Sequence, residues 1–193
     1  MDRMPSTHVD RHLDARCISV LLAFSGCASA EAEAPIDGRS AELTAVGDEI
    51  KCFIRTLDGH YVTAVGGGGR ASDTLHTDAA SPTEFETFTL IETAAQGGTD
   101  QKFKYAIRAF NGQYLTAVNG GGQIADVIHT DATQLSSWET FTISSQRLGV
   151  YAIRTDLGHY LTAVGGGGKT DDAIHTNIAR IGDWESFTLV CQL

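Results

Sequence analysis

Apolar and polar residues alternate along this chain in short runs. Tyr114-Leu115-Thr116-Ala117 sets Leu115 and Ala117 on one side and Thr116 on the other, and Phe141-Thr142-Ile143 repeats the pattern. A period of two marks a strand with one buried face. Such runs predict strands at Tyr105 to Arg108, Tyr114 to Val118, Val127 to Asp131 and Trp138 to Ile143. Between them stand Asn111-Gly112, Asn119-Gly120-Gly121-Gly122 and the polar stretch Ala132 to Ser137, all turn or loop chemistry. No ten-residue stripe with helical spacing interrupts them, so the pattern predicts an all-β chain.

The four-strand unit occurs three times, over about 50–92, 103–145 and 149–191. Tyr61, His76, Phe85 and Phe88 precede Tyr114, His129, Trp138 and Phe141 by 53 residues, and these precede Tyr160, His175, Trp184 and Phe187 by 46. No gap falls inside a unit; the difference lies in a longer connection near Gln96 to Lys104. One unit alone leaves strand edges unpaired and half a hydrophobic face bare, whereas three units closing on themselves remove both defects. Three four-stranded repeats with pseudo-threefold symmetry predict a β-trefoil. A three-bladed propeller falls below the usual blade number, and a solenoid needs polar capping units.

The repeated wording Gly-His/Gln-Tyr-Leu-Thr-Ala, a Gly-rich turn and Trp-Glu-x-Phe resembles the fascin-like trefoils of the actin-crosslinking superfamily, the family of fascin and hisactophilin. The resemblance covers about Gly47 to Leu193, with Phe85 in place of Trp in the first copy. It implies actin binding, as in some eukaryotic members, or a glycan-related role, as in modules attached to secreted bacterial enzymes.

Charge narrows the choice. The 193 residues carry 24 Asp plus Glu against 14 Lys plus Arg, a net charge of −10, and no cluster of basic residues stands out along the sequence. Such a surface repels phosphate backbones and anionic lipid heads, so nucleic acid is not an expected partner. Actin, itself acidic, is disfavoured on the same ground. The apolar run Cys17 to Gly26 follows Arg11 and Arg16 and is too short to span a bilayer, which predicts a signal segment over 1–27. Phe24-Ser25-Gly26-Cys27 resembles a bacterial lipobox, making Cys27 a candidate for lipidation; Ala28-Ser29-Ala30 offers ordinary cleavage instead. Residues 28–46, rich in Ala and Glu, read as a tether ahead of the domain at 47–193. The expected location is therefore secreted or anchored to the cell envelope, with membrane contact only through a lipid.

Cys52 and Cys191 are the two cysteines left in the domain. The first and last strands of a closed trefoil are neighbours, so the two are candidates for a disulfide, with a pair of buried thiols as the alternative.

Ala163 to Thr170, AVGGGGKT, imitates a phosphate loop. The acidic, strand-like Asp171 to His175 behind it provides no helix, and the sister loops carry Arg70-Ala71 and Gln123-Ile124 in place of Lys169-Thr170. The chemistry that does recur is His-Thr-Asp/Asn, as His76 with Asp78, His129 with Asp131 and His175 with Asn177. On a strand these alternate residues share a face, where they fit sugar hydroxyls or an exposed polar pair, and two groups per lobe are too few for a metal. His60, Gln113 and His159 add one polar side chain beside a tight Gly turn in each lobe. Trp138, Trp184 and Phe85 are expected to pack inward beside the core phenylalanines. A nucleophile with a matched base should appear once rather than in triplicate, so the chain reads as a non-catalytic module without cofactor. A carbohydrate-binding, lectin-like role with up to one site per lobe is the leading expectation. A protein-binding or filament-crosslinking role and inhibition of a secreted hydrolase are the alternatives.

Overall fold

The alternation seen in the sequence places one residue of each pair in a common core. The computed structural model describes residues 49–93 and 104–192. The expected signal segment, the tether, Cys27 and most of the longer connection near Gln96 lie outside the described residues. Lobe 1 contains β1 (Glu49–Arg55), β2 (Tyr61–Ala64), β3 (Leu75–Ala79) and β4 (Thr87–Thr93). Lobe 2 contains β5 (Lys104–Arg108), β6 (Tyr114–Ala117), β7 (Ile128–Ala132) and β8 (Thr140–Arg147). Lobe 3 contains β9 (Val150–Arg154), β10 (Tyr160–Ala163), β11 (Ile174–Ile178) and β12 (Phe187–Gln192).

Six strands close a barrel: β1 pairs β4, β4 pairs β5, β5 pairs β8, β8 pairs β9, β9 pairs β12, and β12 returns to β1, all antiparallel. The other six form three hairpins, β2–β3, β6–β7 and β10–β11. This is the β-trefoil. Closure leaves no free edge on the barrel, which an isolated repeat could not achieve.

The core consists of symmetry triplets. Phe88, Phe141 and Phe187 are fully buried, and Ile54, Ile107 and Ile153 from the barrel and Leu75, Ile128 and Ile174 from the hairpins are buried with them. Short β2, β6 and β10 bury Val62, Leu115 and Leu161 together with Ala64, Ala117 and Ala163. Each large side chain removed from water contributes about 1.5–3 kcal/mol.

The inward expectation for the tryptophans is corrected by the structure. Trp138 lies in a one-turn 3-10 segment ahead of β8 and Trp184 in a turn ahead of β12, rather than in the strands, and they are 43% and 48% exposed. The buried residue of Trp-Glu-x-Phe, besides Phe, is the Glu. Glu86 Oε1 accepts from the Thr63 hydroxyl at 2.7 Å, and Oε2 accepts from the Thr83 N–H and hydroxyl, both at 2.6 Å. Glu139 repeats all three with Thr116 at 2.8 Å and with the N–H and hydroxyl of Ser136. Glu185 keeps two, from Thr162 and from the Gly182 N–H, both at 2.8 Å. Each carboxylate ties the start of the last strand of its lobe to the second strand, which explains an acid at a buried position.

Candidate functional site

The functional surface is organised by the joints between lobes. The Gly run after β2, β6 or β10 carries left-handed residues, then pairs with the third strand of the next lobe. Gly69, Gly122 and Gly168 donate to the carbonyls of Thr130, Thr176 and Thr77 at 2.7–2.8 Å, and the same threonines donate back to Arg70, Gln123 and Lys169. Thr77, Thr130 and Thr176 are fully buried by this stitching. It also explains the glycines: a Cβ on Gly121 would stand 2.9 Å from Thr155 Cβ, so the joint closes only without one.

Two features recur at every joint and a third at two of the three. The first is a ring with an apolar neighbour. A Cβ at Gly67 would lie 3.1 Å from Phe85 and 3.4 Å from Phe110, whose rings are 6.1 Å apart. At Gly120 the flanking groups are Leu157 and Trp138, and at Gly166 they are Leu57 and Trp184. Leu57, Phe110 and Leu157 are all more than half exposed.

The second feature is the polar turn. Asp58 Oδ1 accepts from the Thr56 hydroxyl at 2.6 Å and the His60 N–H at 3.2 Å, while His60 Nδ1 stands 2.9 Å from Asp58 Oδ2 without the direction of a hydrogen bond. Burial pushes the Asp58 carboxyl up, but these hydrogen bonds and the His60 ring outweigh it and leave it below the ordinary carboxylate value. Asn111 makes the same turn to Gln113, and Gln113 Nε2 donates to the Asp131 carbonyl at 2.8 Å. Leu157 replaces the acid or amide in lobe 3, where His159 lies against Gly122. The structure thus brings Gln113 to Asp131, and the repeat places His60 with Asp78 and His159 with Asn177 at the equivalent joints. Asp78, Asp131 and Asn177 are exposed.

The third feature is a cleft on the barrel flank. Between lobes 1 and 2 a cleft of about 390 Å³ is lined by Lys51, Thr87, Thr89, Arg108, Phe110 and Gln192 among others. Between lobes 3 and 1 its counterpart of about 280 Å³ is lined by Arg55, Leu57, Asp58, Arg147, Ser186 and Thr188 among others. Between lobes 2 and 3 the same positions hold an ion pair, Lys104 Nζ to Asp156 Oδ1 at 3.2 Å.

The remaining imidazoles go elsewhere. His76, His129 and His175 share the outward face with Asp78, Asp131 and Asn177, as the alternation requires. Their hydrogen bonds, however, are with Asp73, Asp126 and Asp172, three residues earlier, at 2.6–2.7 Å. Those aspartates adopt φ of 48–51° and line a cavity of about 410 Å³ where equivalent segments of all three lobes converge. A left-handed Asp turns its carboxylate back toward the strand, a geometry that alternation cannot reveal. The recurrence of Asp73 at the same offsets was the available signal, as it was for the buried Glu.

Symmetry breaks most at one end of the barrel. Three equivalent cross-strand pairs there are Cys52 with Cys191, Tyr105 with Glu92, and Tyr151 with Ser145. The cysteines form a disulfide. Glu92 is buried with neither oxygen hydrogen-bonded among the described residues, and burial, with Glu92 and Tyr151 nearby, pushes the Tyr105 phenol up to about 12.

No family model and no curated protein matches the chain. Solved structures do. The designed threefold-symmetric protein ThreeFoil is 13% identical, with a TM-score of 0.57 over 74% of this chain and 97% of its own. The Rhizoctonia solani agglutinin is 11% identical, with a TM-score of 0.55 over 79% of this chain and 100% of its own. The exo-β-1,3-galactanase 1,3Gal43A from Clostridium thermocellum is 12% identical, with a TM-score of 0.60 over 76% of this chain and 31% of its own. At these identities the likeness is one of fold: the chain is a β-trefoil whose similar structures include lectins.

Proposed function

We propose that this protein is a non-catalytic carbohydrate-binding module whose sites lie at the joints between lobes. The observation that carries the reading is the ring at each joint, exposed for Trp138 and Trp184 and half-buried for Phe85, beside an apolar side chain and a polar turn. An indole or phenyl face packs against the C–H face of a pyranose, while neighbouring carboxylate, amide and imidazole groups hydrogen-bond its hydroxyls. His60, Gln113 and His159, with Asp78, Asp131 and Asn177, supply those polar groups. His76, His129 and His175 are engaged with the axial aspartates and serve the hairpins instead. Similar trefoils that are agglutinins and lectins support the reading. Shallow sites repeated around a barrel gain strength by multivalency. The apolar run at Cys17 to Gly26 and the disulfide support a place outside the cytoplasm, where disulfides persist.

A glycan array probed with the full chain tests this. Binding should fall in Trp138→Ala and Trp184→Ala and persist in His76→Ala. Absence of binding to every glycan by the unaltered protein rejects the reading.

A further inference from the structure

The three flank positions are not equivalent, and the difference is one of charge. Arg55, Arg108 and Arg154 occupy the same position in the three lobes. Arg108 Nη2 is paired with Glu49 at 2.6 Å, and beside Arg154 the Lys104–Asp156 pair spans the cleft. Arg55 has no carboxylate partner among the described residues. Its Nε donates to the Gly59 carbonyl at 2.9 Å and its guanidinium lies 5.9 Å from the Tyr61 ring centroid, which fixes it, and its terminal nitrogens have no hydrogen-bond partner among the described residues. Arg147, exposed at the end of β8, lines the same cleft and likewise lacks an acidic partner among the described residues. Thr188 adds a hydroxyl, while the Ser186 hydroxyl is held by the Gly182 carbonyl at 2.8 Å. The one acid present, Asp58, has both oxygens turned to Thr56 and His60. A chain with an excess of ten negative charges therefore gathers two guanidiniums in one cleft of about 280 Å³.

We propose that the cleft between lobes 3 and 1 binds the carboxylate or sulfate of an acidic saccharide, with Arg55 and Arg147 as its cationic contacts and Thr188 as a hydroxyl donor. The inference rests on the carbohydrate-binding reading and names the class of sugar. Guanidinium matches the planar, two-oxygen edge of a carboxylate or sulfate better than any other side chain. Leu57 borders both this cleft and Trp184, so the ring platform and the anion site are contiguous. Repulsion by the rest of the surface is screened over about 8 Å at physiological salt, whereas direct contacts inside the cleft are not.

Calorimetric titration of the full chain with three oligosaccharides of equal length tests the proposal: an oligogalacturonate, a chondroitin sulfate fragment and a neutral galacto-oligosaccharide. At least one acidic oligomer should bind about tenfold or more tighter than the neutral one, the scale of one charge-assisted contact. That advantage should shrink as salt rises and disappear in Arg147→Glu. Arg180→Glu, an equal change of net charge at an exposed arginine outside the cleft, should retain it. Thermal midpoints of both variants monitor folding. Equal binding of neutral and acidic oligomers, or equal effects of the two substitutions, overturns the proposal and leaves the carbohydrate reading intact. Full competition by a single-stranded oligonucleotide of matched charge also overturns it, since general attraction would then suffice. If no saccharide binds, the carbohydrate reading fails and the proposal falls with it.

Discussion

The buried glutamates give a ranking that the repeat sequence does not contain. Replacing Glu86 by Ala removes three hydrogen bonds to one buried carboxylate and leaves the half-buried Thr63 hydroxyl and the Thr83 N–H without that partner. Bonds to charged groups contribute about 1.5–3 kcal/mol each, but they are not additive here, because the desolvation of the carboxylate is recovered and water re-enters the space. The net loss works out at about 3 kcal/mol for Glu86→Ala and Glu139→Ala, and about 2 kcal/mol for Glu185→Ala, where Gly182 offers no hydroxyl. For a domain of this size that corresponds to a fall in Tm of about 6–12 °C for the first two and about 4–8 °C for the third. Acid adds a second signature. Burial raises the Glu86 carboxyl, yet the bonds from Thr83 and Thr63 outweigh it and hold it below its ordinary value of 4.5. A carboxyl depressed by folding contributes stability that is complete above pH 4.5 and is lost as pH falls through its lowered value, so Glu86→Ala should flatten that acid limb. Urea denaturation of the three variants from neutral pH down to about pH 3 measures both effects. A Glu185→Ala variant as damaging as the other two, or losses all below about 0.5 kcal/mol, would refute the hydrogen-bond accounting.

Two further predictions concern closure and the joints. The disulfide joins residues 139 apart, so Cys52→Ser, Cys191→Ser or reduction should cost up to about 5 kcal/mol in the chain-entropy limit, read as a lower denaturation midpoint. Gly121→Ala should destabilise by about 3 kcal/mol or more, since its Cβ would enter Thr155. Gly66→Ala, with nothing within 4 Å, should cost only about 1 kcal/mol for its positive φ; equal midpoints for the two would contradict the close approach at the joints.

What the sequence determined by itself was periodic. A period of two gives the strands and their buried faces, so Leu115, Ala117, Phe141 and the Leu75, Ile128 and Ile174 positions were legible without coordinates. The in-register triplication gives twelve strands and closure, because only a closed arrangement pairs every edge. Cys52 and Cys191 were legible as neighbours for the same topological reason.

Tertiary structure alone decided how side chains from different lobes meet. Trp138 and Trp184 turned outward because the Glu beside each occupies the buried position, bound by hydroxyls and amides 3 and 23 residues away. The histidines found partners at Asp73, Asp126 and Asp172 through a left-handed turn, which breaks the alternation that sequence reading relies on. Arg55 and Arg147 stand 92 residues apart in a sequence where no basic cluster is visible, yet they line one cleft because β1 and the β8–β9 hairpin both flank β12 in the closed barrel. Periodicity encodes which face of a strand is buried; the groups gathered at a joint depend on closure, and closure exists only in three dimensions.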